Sequence, residues 1–140
     1  MIELYIETKI VNKRAGFAVL LKSGSHRWEK SMDCGEVAGN LAALHGVTYA
    51  LASIKPHHRQ AEIKLYTSNQ YIHMMLEKDQ NGYWEKVPKN YIEAVEEMRK
   101  RISGTPRITF ALPSPGPDLA RVKEMALTAA KEGRCIDNKN

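Results

Sequence analysis

Three consecutive polar residues stand where a predicted strand gives way to a predicted helix. The stretch LYTSNQYI covers residues 65–72, and Thr67, Ser68 and Asn69 separate its strand end from its helix start. Loops at the carboxyl ends of strands in an α/β sheet line the crevice where ligands bind. These side chains can donate and accept hydrogen bonds, but none of them is a carboxylate. The position is typical of a functional site, whereas the residue types are not those of acid–base chemistry.

Cysteines and histidines give no sign of a metal site. Cys34 and Cys135 lie far apart in the sequence and have no metal-binding partner spacing. His57 and His58 are adjacent, so they cannot share a helix face, and they follow Pro56 in a polar segment. We therefore expect an exposed turn at the histidine pair, no metal ligands and reduced thiols.

Bulk composition describes an ordinary globular chain with a basic surface. The 140 residues are 43% hydrophobic and 26% charged, with a net charge of +5 and a pI near 9.2. This charge permits nucleic acid as a partner without demonstrating it, because many basic domains simply carry solvated lysines. The amino terminus resembles no signal peptide, and no apolar run approaches the roughly 18 residues of a membrane span. We expect a soluble, cytoplasmic protein.

Hydrophobic periodicity predicts a mixed α/β sheet around the polar turn. Ile2, Leu4 and Ile6 alternate with polar or aromatic residues, which is typical of a half-buried strand. The predicted strands cover residues 2–9, 17–23, 26–32, 61–67 and 107–113. The predicted helices cover residues 36–54, 69–77, 91–102 and 118–132.

The order of these elements, βββαβααβα, predicts a five-stranded sheet with helices on both faces. The first three strands are joined by short turns, so they pair antiparallel, whereas the last two each follow a helix and return parallel. We assign residues 1–132 to one domain and residues 133–140 to a polar, frayed carboxyl-terminal tail.

Several segments resemble the type 1 ribonuclease H family in order and spacing. They are LYIET, NLAALHGVTYAL, LYTSNQYI, YWEKVPKNYIEAVEEM and ARVKEMALTAA, which together extend over about residues 2–130. The resemblance implies the ribonuclease H-like fold. It also implies an ancestral activity, in which two divalent cations held by four carboxylates cleave the RNA strand of an RNA–DNA hybrid.

The departures from the family fall on the catalytic positions. By resemblance, the four family carboxylates correspond to Glu7, Asn40, Ser68 and Lys123, so one carboxylate remains and a cation replaces another. At about 4 Å and an effective dielectric of 20, two unit charges interact by about 4 kcal/mol, so Lys123 would repel Mg²⁺. Neutral oxygens alone rarely hold Mg²⁺ against water. We predict no catalytic residues and no cofactor, with Mg²⁺ required only if an altered nuclease survives.

The glutamates near these positions have two alternative roles, as ordinary structural residues or as metal ligands. We interpret Glu7 as an outward strand residue paired with Lys123, the other reading being a remnant metal ligand. Glu36 and Glu124 are candidate replacement ligands, Glu36 lying one helical turn before Asn40. Neither restores a four-ligand cluster without rearrangement.

Other positions are candidates for nucleic-acid contact. Gln70 matches a family residue that contacts nucleic acid and lies near a helix amino terminus, although a surface or capping role explains it equally well. Trp84, Lys86 and Lys89 look like a shortened version of the family's basic handle, since aromatics beside lysines can stack bases and neutralise phosphates. The alternative is that Trp84 packs its loop onto the core while the lysines stay solvated.

Three hypotheses follow. The first is a nuclease-dead module that binds RNA–DNA hybrid or duplex RNA. The second is a protein-interaction or scaffold module, including a homodimer, which would have scattered lysines and an exposed apolar patch. The third, an active hybrid nuclease with altered ligands, requires metal-dependent cleavage. No hypothesis involves a membrane.

Overall fold

The strands form one mixed sheet, which confirms the predicted α/β class. A computed structural model describes residues 1–79 and 88–139. In chain order the elements are β1 (Ile2–Val11), β2 (Arg14–Ser23), β3 (His26–Gly35), α1 (Gly39–Ala52), β4 (Ile63–Tyr66), α2 (Gln70–Asp79), α3 (Ile92–Ser103), β5 (Ile108–Ala111), α4 (Pro117–Glu132) and β6 (Asp137–Lys139). Short 3₁₀ helices cover Pro56–His58 and Lys89–Tyr91. The described strands lie in the order β5-β4-β1-β2-β3-β6.

Strand directions follow the prediction. β1, β2 and β3 form an antiparallel meander, while β4 pairs parallel with β1 and β5 pairs parallel with β4. The first turn contains just Asn12 and Lys13, with φ of 51° and 68°. Two successive left-handed residues form the hairpin turn whose twist matches that of the flanking strands. β1 and β2 are therefore longer than predicted from the sequence.

Helices cover both faces of the sheet, and each face has its own apolar cluster. α4 packs on β1, β2 and β3, whereas α1 packs on β1 and β2 from the other side and contacts α2 and α3. Gly16 brings α4 close to β2, because a Cβ there would lie 2.7 Å from the Ala130 nitrogen. The larger cluster lies under α1 and includes Leu4, Ile6 and Leu65.

The carboxyl-terminal segment corrects the prediction of a frayed tail and of five strands. β6 pairs antiparallel with the edge of β3. The Ile136 backbone forms two hydrogen bonds with Ser31. Its carbonyl accepts from the Ser31 nitrogen at 2.9 Å, and its nitrogen donates to the Ser31 hydroxyl at 2.8 Å. Asp137 accepts a 3.0 Å hydrogen bond from the Trp28 indole and a 3.2 Å one from Lys30. Polar side chains thus supply the pairing that hydrophobic periodicity could not reveal.

Two helix and strand ends also differ from the prediction. α1 begins at Gly39 rather than near residue 36, because Gly35 has a φ of 72° and Ala38 is extended. β5 covers Ile108–Ala111 rather than residues 107–113, so Leu112 lies beyond the strand and is 58% exposed.

Candidate functional site

Strand register brings Glu7 and Ser68 together. β1 and β4 are parallel and pair Tyr5 with Tyr66, so the same offset places Glu7 opposite Ser68, just beyond β4. Glu7 is 4% exposed. Its Oε2 accepts a 2.8 Å hydrogen bond from the Ser68 nitrogen, and its Oε1 accepts a second from the Ser68 hydroxyl. The buried carboxylate is therefore satisfied by one residue, through both of its oxygens.

The other polar side chains of the turn are also used internally. The Thr67 hydroxyl accepts from the Asn69 nitrogen at 3.3 Å, and Asn69 caps α2 by accepting from the Ile72 nitrogen at 3.0 Å. The His73 ring donates from Nε2 to the Thr67 carbonyl at 2.7 Å. Sequence reasoning did not single out His73, whose partner lies six residues earlier across the turn. The turn is a closed hydrogen-bonded unit.

Glu7 does not have the surroundings that we inferred for it. It is buried rather than outward, and in the described part of the chain no ion pair joins it to Lys123. Lys123 is half-buried on α4, one turn after Leu119, which packs against the same small apolar cluster as Tyr5. Arg121 bonds to Glu29 on β3, and Lys123 lies two residues, or about 200°, further round α4, so Lys123 lies on the opposite side of the helix, toward β1. Asn40 is exposed in the first turn of α1.

Neither proposed replacement ligand joins Glu7. Glu36 is exposed in the segment before α1, so the helical spacing that we used to relate it to Asn40 was wrong. Glu124 is exposed on α4, three residues after Arg121. The pKa of the Arg121 guanidinium is raised chiefly by its hydrogen bond to Glu29, with a smaller contribution from the Glu124 charge. Within residues 1–79 and 88–139, no three His, Cys, Asp or Glu side chains lie close enough together to hold a metal ion.

A stacked tyrosine pair adjoins the Glu7–Ser68 contact on the same face of the sheet. The Tyr5 and Tyr66 rings have centroids 4.8 Å apart and an interplanar angle of 17°. The Lys64 ammonium lies 5.5 Å from the Tyr66 centroid. Partial burial, and then the nearby Glu3 and Asp118 carboxylates, raise the pKa of the Tyr5 phenol, so it stays neutral at pH 7. The outward positions were visible in the sequence, but their stacking depends on the β1–β4 register.

An ion-pair network fixes α4 over the sheet and thereby positions Lys123. Asp118 accepts from Lys22 at 2.8 Å and from Arg27 at 3.2 Å, and these bonds, Lys22 first, lower the pKa of the Asp118 carboxyl. Glu29 accepts from Arg121 at 2.9 Å, which is the main reason for its lowered pKa. Both carboxylates are therefore bonded to lysine or arginine side chains that hold the fold together.

Of the remaining candidates for nucleic-acid contact, two lie within the described residues and two lie outside them. Gln70 is exposed at the start of α2, and Lys89 is exposed at the start of the 3₁₀ helix before α3. Tyr71 and Tyr91 meet edge to face with centroids 6.0 Å apart, so the structure brings these two segments together. Trp84 and Lys86 lie outside the described residues.

No described helix has the length and apolar character needed to cross a membrane.

Two comparisons of the sequence with known proteins find no match. No protein-family model matches the sequence, and no curated protein matches it either.

Solved structures, in contrast, match nearly the whole chain. LC11-RNase H1 in complex with an RNA/DNA hybrid is 17% identical, with a TM-score of 0.75 over 95% of this chain and 99% of that one. RNase H1 from Halobacterium salinarum is 17% identical, with a TM-score of 0.69 over 95% and 98%. The foamy viral protease-reverse transcriptase with an RNA/DNA hybrid is 14% identical, with a TM-score of 0.72 over 93% of this chain and 20% of that one. From this agreement and the strand order, we conclude that the chain has the ribonuclease H-like fold.

Proposed function

We propose that this chain is a ribonuclease H-like module that lacks two-metal nuclease activity and binds nucleic acid, either RNA–DNA hybrid or duplex RNA. The observation that carries the proposal is the Glu7 carboxylate, whose two oxygens both accept hydrogen bonds from Ser68. A carboxylate already satisfied in this way must give up those bonds before it can ligate a cation.

The residues present do not fit a pair of divalent cations. Mg²⁺ requires near-octahedral oxygen ligands, and two-metal sites clamp the attacking and leaving oxygens between cations. Of the four matched positions, Glu7 alone supplies a carboxylate, Asn40 and Ser68 supply neutral oxygens, and Lys123 supplies positive charge. We therefore derive no metal-dependent step for this chain.

The surface beside Glu7 has the chemistry of a nucleic-acid contact. Tyr5, Tyr66 and Lys64 combine stacked rings with a cation on the sheet face that also holds Glu7. α4 contacts β1, β2 and β3, so Lys64 and Tyr66 on β4 lie beside that helix. Lys123 borders the same side. The net charge of +5 and the RNA/DNA hybrids bound by structural neighbours support this assignment.

Salt-dependent binding tests the proposal. Purified protein is titrated with RNA–DNA hybrid, duplex RNA, duplex DNA and single strands over a range of salt concentrations. Each lost phosphate contact should reduce the magnitude of the negative slope of log K against log salt by about 1. We expect the double change Lys64→Ala and Lys123→Ala to lower hybrid or duplex-RNA affinity and this slope. Lys86→Ala with Lys89→Ala tests the second basic candidate. Lys131→Ala, exposed in the last turn of α4, is the matched control and should change neither quantity.

A cleavage assay tests the loss of activity separately. We expect no cleavage of hybrid in Mg²⁺ or Mn²⁺ by the unaltered chain. A variant with carboxylates at the matched positions (Asn40→Glu, Ser68→Asp and Lys123→Asp) tests whether ligand loss is the cause, with calorimetric Mn²⁺ binding as its direct measurement. Rapid hybrid degradation by the unaltered protein would refute the proposal.

The second candidate is a protein-interaction module, with a homodimer as one form. Weak, equal binding to every nucleic acid, unaffected by all of the lysine changes, would favour it, and sedimentation would then establish the oligomeric state. Under either candidate we propose one functional domain, residues 1–132 extended by β6, and the cytoplasm as its compartment. Cys34 and Cys135, which are both free, fit a reducing environment.

A further inference from the structure

A cleft lies at the carboxyl-terminal end of α1, and Asn40 lies at the opposite end of that helix. The cleft has a volume of about 560 Å³, and its walls come from the β2–β3 hairpin, the end of α1, the segment after α1, and β6. This volume falls within the range of roughly 300–1,000 Å³ that small-molecule sites occupy. Tyr49 is the lining residue of α1 nearest to Asn40, and the step of nine residues from one to the other, at about 1.5 Å each, gives a separation of about 14 Å along the helix. The cleft is therefore not part of the Glu7–Ser68 site.

Aromatic and aliphatic side chains form the floor of this cleft. Trp28 pairs with Leu21 across β2 and β3, and both line the cleft. The Trp28 and Tyr49 rings are nearly parallel, with centroids 6.2 Å apart and an interplanar angle of 23°. The 3.0 Å bond from the Trp28 indole nitrogen to Asp137 fixes the orientation of the larger ring. An oriented and partly exposed indole is a stacking platform for a flat ligand.

Two lysines border this floor. Lys55 and Lys139 are exposed, line the cleft, and form no salt bridge within the described parts of the chain. His26 and His58 are exposed in the same lining. Asp137, an acidic group in the lining, is already paired with Lys30 at 3.2 Å. The rim therefore offers positive charge to a ligand.

We propose that this cleft binds a nucleoside monophosphate, whose base lies on Trp28 and whose phosphate is held by Lys55 and Lys139. A base alone would leave the two lysines unused, and a phosphate alone would leave the aromatic floor uncovered. The same chemistry is present in a free nucleotide and in the 5′-phosphorylated end of a strand. This site does not depend on the function proposed for Glu7 and its neighbours.

Fluorescence of Trp28 tests the site directly. The chain has two tryptophans, so Trp84→Phe leaves Trp28 as the only one, and excitation at a wavelength where the six tyrosines absorb little isolates its emission. AMP, adenosine, inorganic phosphate, and oligonucleotides with and without a 5′-phosphate are titrated at low salt. We expect saturable quenching by AMP and at least about tenfold weaker binding of adenosine and of phosphate. Competition by the 5′-phosphorylated strand at lower concentration than AMP would identify the strand end as the ligand, and the reverse order would identify the free nucleotide.

Surface substitutions provide the control. Lys55→Ala with Lys139→Ala should weaken AMP binding by about tenfold, because two charge-assisted contacts are lost. Lys13→Ala, an exposed lysine of the β1–β2 turn, should leave it unchanged. Circular dichroism verifies that the variants are folded. Absence of saturable quenching to roughly 10 mM AMP, equal affinity for adenosine, or insensitivity to the lysine changes would each overturn the proposal.

Discussion

Ser68→Ala isolates the side-chain hydrogen bond between Ser68 and Glu7. The change removes the hydroxyl that donates to Glu7 Oε1 but keeps the backbone donor to Oε2. Hydrogen bonds to charged groups contribute about 1.5–3 kcal/mol, and Glu7 is 4% exposed, so its carboxylate depends on these donors. Ser68 itself is exposed, and water can partly replace its hydroxyl. We therefore expect a loss near the lower limit, about 1.5 kcal/mol in the free energy of unfolding.

Urea denaturation followed by circular dichroism measures this loss. Ser114→Ala, an exposed serine in the β5–α4 loop, is the matched control and should change the free energy of unfolding by less than about 0.5 kcal/mol. In a Glu7→Gln background the single amide oxygen can accept from the Ser68 nitrogen while the amide NH2 donates to the Ser68 hydroxyl. That second bond joins neutral groups, so Ser68→Ala should cost only about 1 kcal/mol there. An effect of Ser68→Ala no larger than that of the control would refute the view that Ser68 satisfies the buried carboxylate.

Three further changes test the scaffold. Gly16→Ala should destabilise the protein by about 3 kcal/mol in urea denaturation, because its Cβ would lie 2.7 Å from the Ala130 nitrogen, and an unchanged midpoint would contradict this packing. Lys13→Gly should stabilise it by up to about 1 kcal/mol, since φ of 68° strains a side-chain-bearing residue, and a lower midpoint would argue against that strain. Arg121 lowers the pKa of Glu29, so their pairing should stabilise the fold above the ordinary carboxyl pKa and lose this effect as pH falls through the lowered value. Unfolding measured from neutral to acidic pH should show a shallower acid loss in Glu29→Gln, and an identical pH dependence would refute the assignment.

Sequence patterns were sufficient for most of the architecture. Alternation of Ile2, Leu4 and Ile6 fixes which face of β1 is buried, because a strand has a side-chain period of two. Helical stripes and turn residues then ordered the remaining elements, and the parallel return of β4 followed from the helix before it. The cap of α2 is a local contact too, since Asn69 accepts from a nitrogen three residues ahead. Each of these inferences depends on neighbours in sequence.

The sixth strand was missed because it depends on pairing across a long sequence separation. β6 joins the sheet through Trp28 and Ser31, more than 100 residues away, and a short polar segment carries no hydrophobic period to announce such pairing.

The identity of Glu7 as the one matched carboxylate could be read from the sequence, but its state could not. Whether it paired with Lys123 or with Ser68 was decided by the β1–β4 register, which joins residues 61 positions apart. Sequence determined which side chains were available, and tertiary structure determined which of them met, because a buried charge takes whichever donors the register places beside it.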